Sequence, residues 1–284
     1  MSKIRVKFTR VGDVKYISHL DLMKFFDRAL RRANIPIAYS QGFNPHPQMV
    51  FGLPLAVGTT SEAEFADFQL ASEMKPEEFM AALNAQLPEG MRITKASILN
   101  SKDNIMKVIA AASYEVSCTL NNKFGFSEIS QIVNNFMRQP SIVAEKEAKG
   151  KVKLVDIKPL IIDIRVVSAE SDSSLESCFS VETNNNKVNK NAELNNGNNM
   201  NNTNEMEYSK ANKVNVKISM LLKAGNEANI KPGIVIAALN NICNINVMVT
   251  GIHRTGLYVL NKGAFIDPLD PAATNALEGD KNAK

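Results

Sequence analysis

The sequence predicts an α+β protein of two β-α-β-β-α-β units in tandem, the second interrupted by an insertion that cannot form a core. Three observations carry this reading. Apolar periodicity switches between two and 3.6 in that order over the first hundred residues. The segments KPEEFMAALN (75–84) and KPGIVIAALN (231–240) share six of ten residues at an offset of 156. Between residues 184 and 204, twelve of twenty-one residues are Asn. The first two imply a repeated unit of the split βαβ or ferredoxin-like kind, and the third an interruption of the second copy.

Each element of the first unit has a local cause. Ile4, Val6 and Phe8 alternate with Arg5, Lys7 and Thr9, which gives a strand with one buried face. Ser18 caps a helix, Asp21 lies three residues on in a capping-box arrangement, and Ile17 stands as a staple residue. Leu22, Phe26, Ala29, Leu30 and Ala33 form its apolar stripe, and Pro36 is expected to end it. An extended IPIAYS, a Gly/Pro/Asn loop and the apolar run MVFGLPLAV follow. A strand is expected at Ala63–Leu70, then a helix opened by Pro76 with Phe79, Leu83 and Leu87, then the strand MRITKASIL.

The second unit reads in the same order. Tyr114–Leu120 is a strand, and Ser127 is expected to cap a helix bearing Ile129, Ile132, Val133, Phe136 and Met137, ended by Pro140. Val152–Val167 is β-prone, Val214–Leu222 is a strand, Lys231-Pro232 opens a helix, and Asn246–Leu260 supplies strand and hairpin. The expected boundaries are 1–105 and 112–265, with a low-complexity insertion at 184–204 and a disordered tail at 266–284.

Composition excludes several classes. Apolar residues at 44% and charged residues at 22% rule out global disorder. No window of eighteen apolar residues exists, so no membrane contact is expected, and the start MSKIRVKFTR lacks a signal-peptide core. Cys118, Cys178 and Cys243 lie far apart with no Cys-x-x-Cys, which fits a cytoplasmic protein and predicts no protein-held zinc or iron–sulfur site. With no GxxxxGK[ST], GxGxxG, GxSxG or HExxH, no cofactor is expected; whether the chain is an enzyme is left open, an accessory without activity of its own being favoured over an acid–base enzyme. Trp is absent and aromatics are 6%, lean for a stacking-rich single-strand binder.

Charge points to one end. Residues 1–60 carry nine Lys/Arg against three Asp/Glu, whereas 61–101 carry three against seven. In YISHLDLMKFFDRALRRA (16–33), Lys24, Arg28 and Arg31 share a helical stripe with Arg32 beside it. Such a stripe suits phosphates, because guanidinium offers a planar fork of donors; it equally suits a solvent-facing helix whose Asp21 and Asp27 pair with it. In YSQGFNPHPQMVFG (39–52), two prolines flank His46. The loop Tyr39, Gln41, Gly42, Phe43, Asn44, Pro45 and His46 is therefore stiff, either for recognition or as a plain strand-to-strand turn. His19, Asp21 and His46 are the catalytic candidates: brought together they suit acid–base work or a metal, although Asp21 has a capping role and no metal is assigned. His253 reads as structural.

The segment VKFTRVGDVKYISHLDLMKFFDRALRRANIPIAYSQGFNPHPQMVFGLPLAVG closely resembles the bacterial radical SAM-linked protein family, a domain of unknown function. The match is specific over roughly residues 4–100 and loose beyond. Its characteristic positions fall on Ser18, His19, Asp21, Arg31, Arg32, Tyr39, Gln41, Gly42, Phe43, Pro45 and His46. The resemblance implies an accessory protein to a radical SAM enzyme encoded nearby, since its members are encoded beside or fused to such an enzyme. A more distant likeness is to the RAMP-type CRISPR repeat-processing endoribonucleases, which also pair two ferredoxin-like domains, although TGIHRTGL replaces their Gly-rich loop. Three functions follow: an accessory that binds RNA (tRNA or rRNA) or a ribonucleoprotein, an acid–base enzyme using His19 and His46, or a protein–protein adaptor.

Overall fold

A computed structural model describes residues 2–99, 104–120, 124–148, 150–171 and 213–273. The insertion expected at 184–204, Cys178 and residues 274–284 lie outside the described residues.

The first half runs β1 (Lys3–Arg10), α1 (His19–Arg32), β2 (Met49–Phe51), β3 (Thr60–Gln69), α2 (Pro76–Asn84) and β4 (Met91–Ile98). A short α3 (Ile105–Val108) leads to β5 (Ile109–Leu120), α4 (Phe126–Arg138), the hairpin β6 (Val143–Ala148) and β7 (Lys151–Asp156), then β8 (Ile161–Ser171). The chain continues with β9 (Val214–Lys223), α5 (Pro232–Cys243), β10 (Val247–Asn261) and β11 (Ala264–Ile266).

This is an α+β fold around one large mixed sheet, ordered β4-β1-β3-β10-β5-β9-β8, with β2 on β3 and β11 on β10. The seam is the parallel pairing of β10 with β3, His253 opposite Thr60 and Arg254 opposite Ser61. It forms because β2 covers β3 only at Ala66–Phe68, leaving the start of that edge open for β10. Strand β3 is buried on both sides: Ala66 and Phe68 join the core under α1 and α2, while Ala63 and Phe65 join the core of the second half.

Local signals explain most elements. Ser18 Oγ accepts from the Asp21 N–H at 3.2 Å and donates to Asp21 Oδ2 at 2.7 Å, so the expected cap forms. The stop is different from expectation. Asn34 takes φ of 51° and the Ile35 N–H bonds back to Leu30 O, a left-handed termination two residues ahead of Pro36. Helix α4 also starts earlier than expected, at Phe126 rather than after Ser127, because the Glu128 carboxylate accepts the Gly125 N–H at 2.9 Å. The apolar run MVFGLPLAV yields only three strand residues, since Gly52 and Pro54 interrupt the ladder. The β-prone stretch Val152–Val167 falls in two strands, β7 and β8, divided by a turn of 3₁₀ helix at Lys158–Leu160 that holds Pro159.

One device recurs in both halves. Asn84 at the end of α2 donates to Ile93 O at 3.0 Å and accepts the Ile93 N–H at 2.8 Å. Asn240 in α5 makes the same pair of bonds to Val247, at 3.0 and 2.9 Å. The clamped residues Ile93 and Val247 stand two residues closer in the chain than the offset of 156 that relates Asn84 to Asn240.

The C-terminal segment differs from expectation as well. Residues 267–273 are packed: Lys7 pairs with Asp267 at 3.0 Å, Arg5 donates to Pro268 O, and Ala273 is buried. That segment and α3 cover the face of β1 and β3 turned away from α1, the face a sheet-based RNA reader would use. The corresponding face of the second half carries half-buried Ser113, Ser117 and Thr119, with Glu115 paired to Lys217 at 3.1 Å. No helix among the described residues is long and apolar enough to cross a membrane.

Candidate nucleic-acid interface

Helix α1 buries Leu22, Phe26, Ala29 and Leu30, which turns its charged residues outward. Phe26 sits within 5.2 to 6.0 Å of the rings of Phe8, Phe25, Phe51 and Phe68, so the helix is held firmly on the sheet. The stripe is largely paired. Lys24 lies 3.7 Å from Asp21, Arg31 makes two 3.0 Å bonds to Asp27, and Arg32 bonds the Gln86 side chain and carbonyl. Arg28 is exposed and has no partner among the described residues. The structure thus reduces the four expected cations to one free guanidinium and one, Arg31, that is shared.

Arg31 links the helix to the loop. Its guanidinium carbon lies 6.0 Å from the Tyr39 ring centre, and Tyr39 and then Asp27 hold its pKa above the ordinary arginine value. From Tyr39 the chain makes a tight hairpin. Tyr39 bridges Pro47, the Ser40 N–H donates to His46 O at 2.8 Å, and the His46 N–H donates to Ser40 Oγ at 3.0 Å. Gln48 braces the stem by donating to Tyr39 O. Gly42 takes φ of 124°, which L side chains rarely adopt, and the reversal throws Phe43 clear of the protein at 113% relative exposure. Gln41, Asn44, Pro45 and His46 are exposed around it. The hairpin thus meets α1 at its neck, through Tyr39 and Arg31, and carries the Phe43 ring at its tip.

The expected trio does not assemble as a metal site. His19 is half-buried with its ring edge on Phe51 at 5.8 Å, Asp21 is engaged by Ser18, and His46 is exposed on the hairpin. Among the described residues no group of three His, Cys, Asp or Glu is placed to hold a metal ion. His253 lies mid-strand at the seam, its Nδ1 2.8 Å from Thr60 Oγ1.

Sequence reasoning missed a buried polar cluster. Arg254 donates to Glu64 at 2.8 Å and to Leu53 O at 2.9 Å, with Pro54 O and the Tyr114 hydroxyl also in reach. Arg10 is buried two strands away, across β3, and donates to Val14 O and Ile17 O. Arginine in a strand carries no periodic signal of its own, and no local pattern pairs Arg254 with Glu64, so no local signal would have found it.

No curated protein sequence matches this chain. Among solved structures it is similar to a chain of a Cbf5-Nop10-Gar1 complex, at 8% identity and a TM-score of 0.41 over 89% of this chain and 48% of that one. It is also similar to a chain of the archaeal box H/ACA sRNP Nop10-Cbf5 complex, at 8% identity and a TM-score of 0.38 over 88% and 46%. This chain spans about half the length of those it matches, and at that level of similarity none of their properties transfers to it. Over residues 3–232 the sequence matches the DUF2344 family, described as an uncharacterized protein conserved in bacteria, and the chain belongs to that family.

Proposed function

We propose that this protein is an RNA-binding accessory to a radical SAM enzyme, gripping a single-stranded or looped segment between α1 and the Phe43 hairpin. The observation that carries the RNA reading is Phe43. A phenyl ring wholly in water, on a hairpin tied at its neck and held against α1 where Tyr39 meets Arg31, has the makings of a stacking platform beside phosphate contacts. Nothing in the core needs that ring, so its exposure is a cost to the isolated protein. The association with a radical SAM partner is supported by the family resemblance of residues 16–33 and 39–52, and the absence of a cysteine triad leaves the radical chemistry to the partner. The repeated strand order and the matching Asn84 and Asn240 clamps support a finer architectural reading, in which the halves are two ferredoxin-like copies fused into one sheet.

Filter binding of host tRNA and rRNA fragments over a salt series tests this. Phe43→Ala removes one stacked base, so affinity is expected to fall about 5- to 100-fold, with the salt slope retained. Arg28→Ala is expected to flatten the log–log salt slope by about 0.7 while weakening all sequences alike. Absence of RNA binding at low salt, or a Phe43→Ala affinity equal to that of the parent, refutes the RNA reading. Failure of the radical SAM protein encoded nearby to co-purify with this chain would refute the accessory role.

A further inference from the structure

Where the two halves meet, the segment after β2, strand β10 and the start of α5 enclose a cavity of about 500 Å³, within the size range of small-molecule sites. Its walls are mainly apolar: Leu53, Leu55, Ile234 and Ile252 line it. Its polar lining is Arg254, Tyr114, Thr59 and Asn229, together with Lys231 and the first turn of α5. An apolar space of this size offers water few partners, so it favours an organic occupant.

Arg10 and Arg254 both lie opposite Ser61, on either side of β3, and the Glu64 carboxylate acts on both. Each arginine is no more than 2% exposed, and each keeps an Nε with no hydrogen-bond partner. Burial lowers the pKa of Arg10, Glu64 raises it and Arg254 lowers it further. For Arg254, burial is outweighed by Glu64 and Tyr114, and its pKa is raised. Two guanidinium groups act on one carboxylate, and of the two it is Arg254, paired with Glu64, that lines the cavity.

The start of α5 adds to this. Its first turn has no side-chain cap and no acidic residue, and Lys231, Pro232 and Gly233 all line the cavity. Helix α2 opens with the same Lys-Pro pair but follows it with Glu77 and Glu78, which supply the negative charge a helix N-terminus favours. At α5 those two positions are Gly233 and Ile234, and a Cβ on Gly233 would meet nothing within 4 Å. Pro232 has no N–H and the Ile234 N–H bonds to Lys231 O at 3.0 Å, which leaves the Gly233 N–H as the open donor of that turn.

We propose that this cavity binds a small organic phosphomonoester, its phosphate on the Gly233 N–H at the start of α5 and on Lys231, its apolar body between Leu53, Leu55, Ile234 and Ile252. Phosphate suits the place because it offers several acceptor oxygens and up to two negative charges to a helix end and a lysine. The site uses none of the residues of the proposed RNA surface and stands apart from that reading.

Calorimetric titration of the full chain with adenosine 5′-monophosphate, phenyl phosphate, adenosine and inorganic phosphate tests the inference. At least one of the two phosphomonoesters is expected to bind at least about tenfold more tightly than inorganic phosphate, and adenosine to bind weakly, because both parts of the ligand are held. Gly233→Asp places a carboxylate where α2 has one. It is expected to keep or raise the thermal midpoint of the free protein while weakening phosphomonoester binding by about tenfold or more. Lys231→Glu, at an exposed position, gives the same loss by a second route, and Arg28→Ala leaves this binding unchanged. Absence of binding by both phosphomonoesters at about 1 mM, or binding indifferent to Gly233→Asp and Lys231→Glu, overturns the proposal.

Discussion

Replacing Asp67 by Ala tests the least forgiving contact of the sheet. Asp67 stands opposite Arg5 across β1 and β3, and the pair is 3% and 1% exposed. Arg5 Nε donates to Oδ1 at 2.7 Å and Nη2 to Oδ2 at 3.0 Å, while Oδ2 also accepts the Ile105 N–H at 2.8 Å. The substitution removes all three bonds and leaves Arg5 with Pro268 O at 3.3 Å. Removing one partner of a buried ion pair costs about 3–5 kcal/mol because the other charge stays buried, and orphaning a backbone N–H costs about 1–3 kcal/mol more if it finds no water. We expect a loss near 4 kcal/mol, or about 10 °C in thermal midpoint. In Arg5→Met/Asp67→Leu no charge is stranded, so the loss should shrink to about 1–3 kcal/mol, chiefly the Ile105 N–H. Urea unfolding followed by far-ultraviolet circular dichroism measures both, since the chain has no Trp for fluorescence. The reasoning fails if Asp67→Ala costs less than about 1 kcal/mol, or if the double variant loses the sum of the singles.

Three further outcomes are expected. A chain ending at Ile266 should unfold at a lower urea midpoint than one ending at Ala273, by about 1–3 kcal/mol, because it loses the Asp267 and Pro268 contacts to Lys7 and Arg5; equal midpoints would deny that segment a role. Deleting residues 184–204 should move the thermal midpoint by less than about 5 °C, since Ser171 and Val214 are already paired across β8 and β9 and the deleted stretch is mostly Asn. Cys118, buried in the second core, has its thiol pushed up from 9.0 to about 12 by burial. It should resist iodoacetamide at pH 8 until urea is added. The unfolded chain loses that proton first, so the contribution of Cys118 is complete below pH 9 and is lost as pH rises toward 12. Cys118→Ala should flatten the alkaline fall in stability, and an unchanged fall would contradict the assignment.

What the sequence determined was whatever a short stretch decides by itself. Ile4, Val6 and Phe8 alternate because one face of β1 is core, and Ser18 with Asp21 starts α1 by bonds among neighbours. Pro232 starts α5 because its fixed backbone angle fits a first turn. Helix ends were less legible: Asn34 and Asn244 take left-handed conformations that any Asn in a chain so rich in Asn would be equally entitled to. The charged stripe on α1 was visible, but its pairing with Gln86 and its contact with Tyr39 depend on where α2 and the hairpin arrive. Only the tertiary structure joined β3 to β10. That seam exists because β2 is too short to cover its neighbour, and it buries Arg254 against Glu64, 190 residues away in the chain. Periodicity records which side of an element is buried and nothing of what buries it, so the stacking hairpin and the cavity at the seam arise only when distant segments meet.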